Sequence, residues 1–333
     1  MKRREFIAGA LGGLLAGGCL SRIARPSRDS GWIDLQVNGR VGVSFTDAEL
    51  TEEKVLKVVE ALNAGGTSHF LATIVTCPCG MAEHALRTIA SARRKFAACE
   101  RTILGVHMEG PFISPMSGYS GAHDRREIRD PDPRVFDRWQ DVSGGLVKMV
   151  TICGLRPGAE DFTRHVSGNG AVVSLGHTEI WATDDLNRLA DAGAKTLTHL
   201  GNALPNELPR HKNIMWTGLA NRHYMPMFIA DGFHLPRETL HGYVRACPLE
   251  RLVVVSDCTY PGGLPPGRYV HNGSVSVLEP SGFLRSPATN SLHGSSCLLS
   301  DCIRVLNSPD VGLSMSDCRR LCHDNPLKLI GLS

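Results

Sequence analysis

Short apolar, β-branched runs alternate along the chain with segments whose apolar residues recur at helical spacing. Residues 32–39 read as a first strand that turns at Gly39, and residues 69–76 as a second. Residues 103–111 form a third with a polar tip, residues 146–153 a fourth, 171–175 a fifth and 195–200 a sixth. Residues 225–230, followed by Asp231-Gly232-Phe233-His234, give a seventh, and residues 252–256, ending in Asp257, an eighth. Between them a helix is predicted over 51–63, with Thr51 as cap, Glu52 and Glu53 in its first turn and Gly65-Gly66 as its stop. Further helices are predicted over 81–98 and within 179–194, where Trp181, Leu186, Leu189 and Ala190 fall near one face. Residues 300–306 and 316–322 read as closing helices. A Gly-, Pro- and Ser-rich stretch over 261–289 holds a small hairpin, Tyr269-Val270 against Ser274-Val275-Ser276-Val277. Eight strands alternating with helices predict an α/β fold, a (β/α)8 TIM-type barrel of the metal-dependent hydrolase kind over residues 31–333. A doubly wound open sheet is the competing layout, but no Gly-x-Gly-x-x-Gly follows any strand.

Composition narrows the function classes. With 333 residues, 42% hydrophobic and 21% charged, the chain has enough apolar content for one large core. A net charge of +3 with scattered basic residues gives no footprint for nucleic acid. Residues 1–30 differ from the rest: Lys2-Arg3-Arg4-Glu5-Phe6-Ile7 precedes a glycine-rich apolar run too short for a transmembrane span. The paired arginines resemble a twin-arginine signal, which predicts a periplasmic, exported protein, with Cys19 resembling a lipoprotein acceptor. Eleven cysteines show no spacing of a disulfide framework or zinc ribbon, and Cys153, Cys258 and Cys297 read as buried thiols.

The candidate chemistry gathers at strand ends. His177 and His199 end consecutive strands joined by a helical crossover, which brings both to one edge. Glu109 ends the third strand and Asp257 the eighth, on the face where a barrel carries its catalytic groups. One carboxylate and two imidazoles form a ligand set for one divalent metal, Zn²⁺ first and Fe²⁺, Co²⁺ or Mn²⁺ after it, with room for water. A separate carboxylate, Asp257, can then move a proton.

Seven ordered stretches resemble those of the N-acetylglucosamine-6-phosphate deacetylases, a family of the amidohydrolase superfamily. They are Asp34-Leu35-Gln36-Val37-Asn38-Gly39, His107-Met108-Glu109-Gly110-Pro111-Phe112, Gly121-Ala122-His123, Gly176-His177-Thr178, Thr198-His199-Leu200-Gly201-Asn202-Ala203, Ile229-Ala230-Asp231-Gly232-Phe233-His234 and Ser256-Asp257. The resemblance implies removal of the N-acetyl group from N-acetylglucosamine-6-phosphate or a related amino sugar. It implies Glu109, His177 and His199 as metal ligands, Asp257 as general base and acid, and His234 as a histidine that polarises the acetyl carbonyl or holds the sugar. It further implies that Asn202, Ala203 and Arg210 meet the sugar phosphate, and that Ala122-His123 and Leu292-His293-Gly294-Ser295 close over the sugar. Gln36 and Asn38 stand where many amidohydrolases carry a His-x-His pair for a second metal; amides bind zinc poorly, so a single ion is expected. The family's usual small β-sandwich has no counterpart before the first strand, so a short form is expected, and a homodimer is the assembly the resemblance implies. The competing functions are hydrolysis of another amide or a lactone, and a non-catalytic exported sugar-binding barrel.

Overall fold

The computed structural model describes residues 31–288 and 291–332 of the chain; the signal-like segment and Cys19 lie outside them. Eight strands pair in parallel and in chain order: β1 (Trp32–Val37), β2 (Thr67–Val75), β3 (Ile103–Glu109), β4 (Val147–Ile152), β5 (Val172–Leu175), β6 (Ala194–Leu197), β7 (Met225–Ile229) and β8 (Val253–Val255). The ring closes between the first and last through a parallel bridge from Val37 to Cys258. The buried Asp34 carboxylate adds to that seam, accepting the Ser256 N–H at 3.2 Å. The barrel expectation therefore holds, and the open sheet does not.

Each crossover helix follows from its local sequence. In α1 (Glu52–Ala64) the Thr51 hydroxyl accepts the Lys54 N–H, a cap worth about 1 kcal/mol. Val55, Val58, Val59 and Leu62 form its buried stripe, each contributing roughly 1.5–3 kcal/mol through removal from water. The helical segment expected over 81–98 is two elements, α2 (Cys79–Lys95) and α3 (Ala97–Thr102), because Phe96 adopts an extended backbone, φ −119°, between them. After α4 (Pro133–Ser143) and α5 (Ala159–Gly168), α6 spans only Thr183–Asp191. Its first turn carries Asp184 and Asp185, so the helix starts after Trp181. Trp181 is accordingly 45% exposed, with the Lys212 ammonium over its ring at 5.1 Å.

α7 (Ile214–Ala220) and α8 (Arg237–Ala246) complete the outer ring, and α9 (Leu299–Leu306) follows the hairpin. The last helical stretch runs past the expected 322: α10 (Met315–Arg319) passes through a π turn at Arg320–Asp324 into α11 (Asn325–Leu329). Asn325 fastens it to the barrel, donating to Leu249 O at 2.7 Å and Leu252 O at 2.6 Å. Leu327 and Leu329 join Leu35, Met149 and Met227 in an apolar cluster of the barrel interior.

The hairpin is a three-stranded sheet, β9 (Gly267–His271), β10 (Ser274–Leu278) and β11 (Leu284–Arg285). His271 and Asn272 tie its tip to the carbonyl of Thr46 at 3.1 and 3.0 Å. Cys153 and Cys258 are buried and Cys297 is half-buried, all as free thiols. Among the described residues no helix is long and apolar enough to cross a membrane.

Candidate metal centre

Three buried side chains meet at the C-terminal ends of β3, β5 and β6. Glu109 Oε1 lies 3.2 Å from His177 Nε2 and 2.9 Å from His199 Nε2, and the two Nε2 atoms are 3.2 Å apart. Two imidazole nitrogens facing each other and one carboxylate oxygen at such range crowd three ligand atoms into one small space. A cation among them would satisfy all three. Tetrahedral ligands at Zn–N and Zn–O distances of about 2.0–2.2 Å stand roughly 3.4 Å apart, close to the separations observed. The donor set therefore fits a divalent metal, and this is the cluster among the described residues that can hold one. His177 is prepared for the role because its Nδ1 lies 2.8 Å from Tyr119 O, a pure acceptor. That bond puts the ring proton on Nδ1 and leaves the Nε2 lone pair free.

The backbone at these positions is strained. Among the described residues six non-glycine residues have φ in the left-handed region, and four of them are His177 (49°), His199 (28°), Ala203 (50°) and Asp257 (52°). Such conformations persist where the surrounding fold over-determines them, and they gather at functional sites. Three of the four, His177, His199 and Asp257, stand two residues past the end of a barrel strand.

Asp257 is buried beside the cluster. Its Oδ1 accepts two amide donors, Gln36 Nε2 at 3.0 Å and Asn38 Nδ2 at 2.6 Å. The two amides expected from their position to leave a second metal site unfilled thus hold this carboxylate. Burial, and then the Glu109 charge, push the Asp257 carboxyl up to about 6 against the opposing pull of His199, His234 and Asn38. Burial would also raise Glu109, but the His177 and His199 rings packed against its carboxylate outweigh that and hold it well below the usual range.

The remaining sequence-predicted residues occupy four loops. After β3, His123 Nε2 stands 4.0 Å from Glu109 Oε1, its Nδ1 is 2.7 Å from Thr76 Oγ1, and its ring meets that of His177 edge-on at 4.4 Å. Burial, and then His177, press His123 down to about 3, so the ring is neutral. Its neighbour Ala122 is exposed. After β7, His234 Nδ1 bonds Asp231 Oδ2 at 2.8 Å, while Asp231 Oδ1 accepts the N–H groups of Phe233 and His234. Leu292 pairs with Arg285 of the hairpin sheet, and His293 Nδ1 is 3.3 Å from Ser276 Oγ. Gly294 has φ +66°, and a Cβ there would stand 3.0 Å from Asp257 O. Ser295 N donates to that same oxygen at 2.9 Å, which seats this loop against the Asp257 backbone.

Asn202 caps the His199 turn, its N and Nδ2 both donating to His199 O, at 2.9 and 3.3 Å. Ala203 packs beside Gly121, whose built Cβ would lie 3.6 Å from the alanine's. Arg210 is exposed on the loop before α7, where its carbonyl accepts the Trp216 indole N–H at 3.2 Å; it does not enter the buried cluster. Sequence reasoning missed Tyr119, Thr76 and Asp231 as supports. Asp231 alone had a signal, being the polar residue at the end of an apolar run and three before His234.

No family model matches the chain. It is 30% identical over 307 residues to the N-acetylglucosamine-6-phosphate deacetylase of Bacillus subtilis, covering 91% of this chain and 75% of that one. It is 32% identical over 333 residues to the Bos taurus enzyme of the same name, with 93% and 78% covered. Among solved structures, a mutant N-acetyl-D-glucosamine-6-phosphate deacetylase from Mycobacterium smegmatis, in complex with N-acetyl-D-glucosamine-6-phosphate, superposes with a TM-score of 0.82. That protein is 26% identical, over 91% of this chain and 77% of its own.

Proposed function

The chain belongs to the N-acetylglucosamine-6-phosphate deacetylase family, and from that membership we propose that it hydrolyses the acetamide of N-acetylglucosamine-6-phosphate to acetate and glucosamine-6-phosphate. The observation that carries the reading is the convergence of Glu109, His177 and His199 with Asp257 held beside them by two amides. A sugar-binding barrel without chemistry needs no buried carboxylate clamped next to a metal-type donor set.

Glu109, His177 and His199 would hold one divalent ion, with Zn²⁺ best matched to two imidazoles and a carboxylate and Fe²⁺, Co²⁺ and Mn²⁺ sharing the same donors. When bound, such an ion supplies a Lewis acid for the acetyl carbonyl and lowers the pKa of water at the site. The chain's own residues do the rest. Asp257 Oδ1 is occupied by Gln36 and Asn38, so Oδ2 is the oxygen that takes a proton from the attacking water. The same oxygen delivers it to the sugar nitrogen as the C–N bond breaks. Asp231 accepts from His234 Nδ1 and fixes that ring, leaving Nε2 as the acceptor that holds a hydroxyl of the sugar. His123 and the Leu292–Ser295 loop face the sugar, while Asn202, the Ala203 N–H and the Arg210 guanidinium meet its phosphate. The Arg3-Arg4 segment supports a periplasmic setting, with Cys19 as a lipid attachment point, and two such barrels as a homodimer.

The test is acetate release by the purified full chain from N-acetylglucosamine-6-phosphate, before and after chelation and zinc repletion. Glu109→Gln should lose both metal and activity. Asp257→Asn should keep the metal and lower kcat by about 10²–10⁴, the range of a general acid–base group. Activity that survives exhaustive chelation, or an Asp257→Asn enzyme as fast as wild type, overturns the reading.

A further inference from the structure

Beneath the three ligands the barrel interior changes character. Layers of a (β/α)8 barrel are filled mainly by bulky aliphatic residues, and the apolar interior cluster, with Leu35, Met149 and Met227, follows that pattern. The layer against the metal centre is polar instead. His107, Thr151, Ser174 and Thr198 are 0, 0, 0 and 4% exposed, and buried hydroxyls carry a desolvation cost unless they are bonded.

They are bonded in a chain with one direction. His107 Nδ1 lies 3.2 Å from Leu35 O, which can only accept, so that nitrogen carries the ring proton. His107 Nε2 is then an acceptor, and Thr151 Oγ1, at 2.7 Å, donates to it. Having spent its proton, Thr151 accepts from Thr198 Oγ1 at 2.7 Å, and Thr198 in turn accepts from Ser174 Oγ at 2.5 Å.

Three members of this belt sit close in sequence to a ligand. His107 precedes Glu109 by two residues on β3, Ser174 precedes His177 by three on β5, and Thr198 directly precedes His199 after β6. β4 contributes no ligand, yet it carries Thr151, aligned in register with Glu109 on one side and Ser174 on the other. Gly176 completes the fit, because a Cβ there would stand 2.6 Å from Thr198 Cβ and 3.1 Å from Thr151 Cγ2.

We propose that this hydroxyl–imidazole belt sets the spacing of Glu109, His177 and His199, with Thr151 as the positioning residue that joins their strands across β4. The inference rests on the metal-centre reading above. It is tested by zinc affinity, measured on the full chain by competition with a chromogenic chelator well below the melting temperature. Groups bonded directly to metal ligands typically contribute 10–100-fold in affinity, and Thr151 acts one bond further out through His107 and Thr198, so Thr151→Val should weaken zinc binding by about tenfold and Thr151→Ser by no more than about threefold. Ser174→Ala should lose less than Thr151→Val, since Thr198 still donates to Thr151. Thr163→Val removes a buried hydroxyl bonded to Ala159 O, at 2.7 Å in α5, and should leave zinc affinity unchanged. Unchanged affinity in Thr151→Val, or a loss in Thr151→Val no larger than in Thr151→Ser or Thr163→Val, overturns the proposal. Should Thr151→Val fail to fold, Thr198→Val decides the matter, because it cuts the belt while sparing the bond to His107. Wild type that binds no zinc would sink the metal-centre reading itself, whereas wild-type binding lost in Glu109→Gln but kept in Thr151→Val would sink the belt alone.

Discussion

At the scale of single residues, the groups legible in the sequence are those whose side chains stand at strand ends. Glu109, His177, His199 and Asp257 each interrupt an apolar run at the point where a strand must stop, and the structure brings the first three within 3.2 Å of one another. Supports that act through a carbonyl, such as Tyr119, carry no such mark, because any residue supplies a carbonyl and only the folded loop aims it. Thr151 and Thr198 are hidden for the opposite reason: a β-branched residue inside a strand reads as strand. Asp34 is legible as a strand residue but not as a buried charge. Burial pushes its carboxyl up to about 7 despite the bonds it accepts from Ser256 and Gln36. A carboxyl raised on folding binds its proton more tightly in the folded state, so the stability it contributes is complete below pH 4 and is lost as pH rises toward 7. The folded state is thereby penalised at neutral pH by up to roughly 4 kcal/mol, one pKa unit corresponding to about 1.4. Asp34→Asn should flatten that part of the profile: denaturation midpoints of wild type and variant, measured from pH 4 to 8, should diverge as pH rises. Parallel profiles would show that Asp34 titrates normally.

At the scale of elements, the strands and their order follow from apolar periodicity, and the departures lie where a single backbone conformation decides. Phe96 splits one expected helix, and a π turn carries the last one past its expected end. The loops after the strands were legible only as motifs, because their geometry is set by contacts between loops rather than by pattern. The loop after β3 is the clearest case. Tyr119 O orients His177, His123 meets its ring edge-on, and Gly121 between them has φ +54° with a built Cβ only 3.1 Å from His177 Cε1. Gly121→Ala therefore meets both a backbone conformation that alanine resists and a ligand that cannot yield without moving its Nε2. A strained left-handed alanine costs on the order of 1–3 kcal/mol, and here that strain is relieved by displacing the loop. We expect at least about a tenfold loss of kcat/KM, with a fall of only a few degrees in melting temperature. An unchanged kcat/KM would mean that the barrel alone, without the loop, holds His177.

At the scale of the whole molecule, two features pull against each other. The proposed export of the chain by its Arg3-Arg4 segment would carry it away from the cytoplasm, where sugar phosphates are mainly found, yet the contacts proposed for Asn202, Ala203 and Arg210 call for a phosphorylated sugar. A net charge of +3 over 333 residues is too weak to concentrate anionic substrate by itself, so any preference for phosphate must come from local contacts. Arg210 is the one of these that can be removed without touching the metal centre, since it is exposed and its only described bond runs from its carbonyl to Trp216. A hydrogen bond to a charged group is worth about 1.5–3 kcal/mol, which corresponds to roughly 10–100-fold in affinity. Arg210→Ala should therefore raise KM for N-acetylglucosamine-6-phosphate by about that factor and leave kcat nearly intact, while kinetics on unphosphorylated N-acetylglucosamine stay unchanged. If wild type already treats the two sugars alike, the loop binds something other than phosphate and an exported, unphosphorylated amino sugar becomes the better substrate. If wild type discriminates and the variant does not, the phosphate is recognised by Arg210, and the sugar phosphate must be present wherever the chain is delivered.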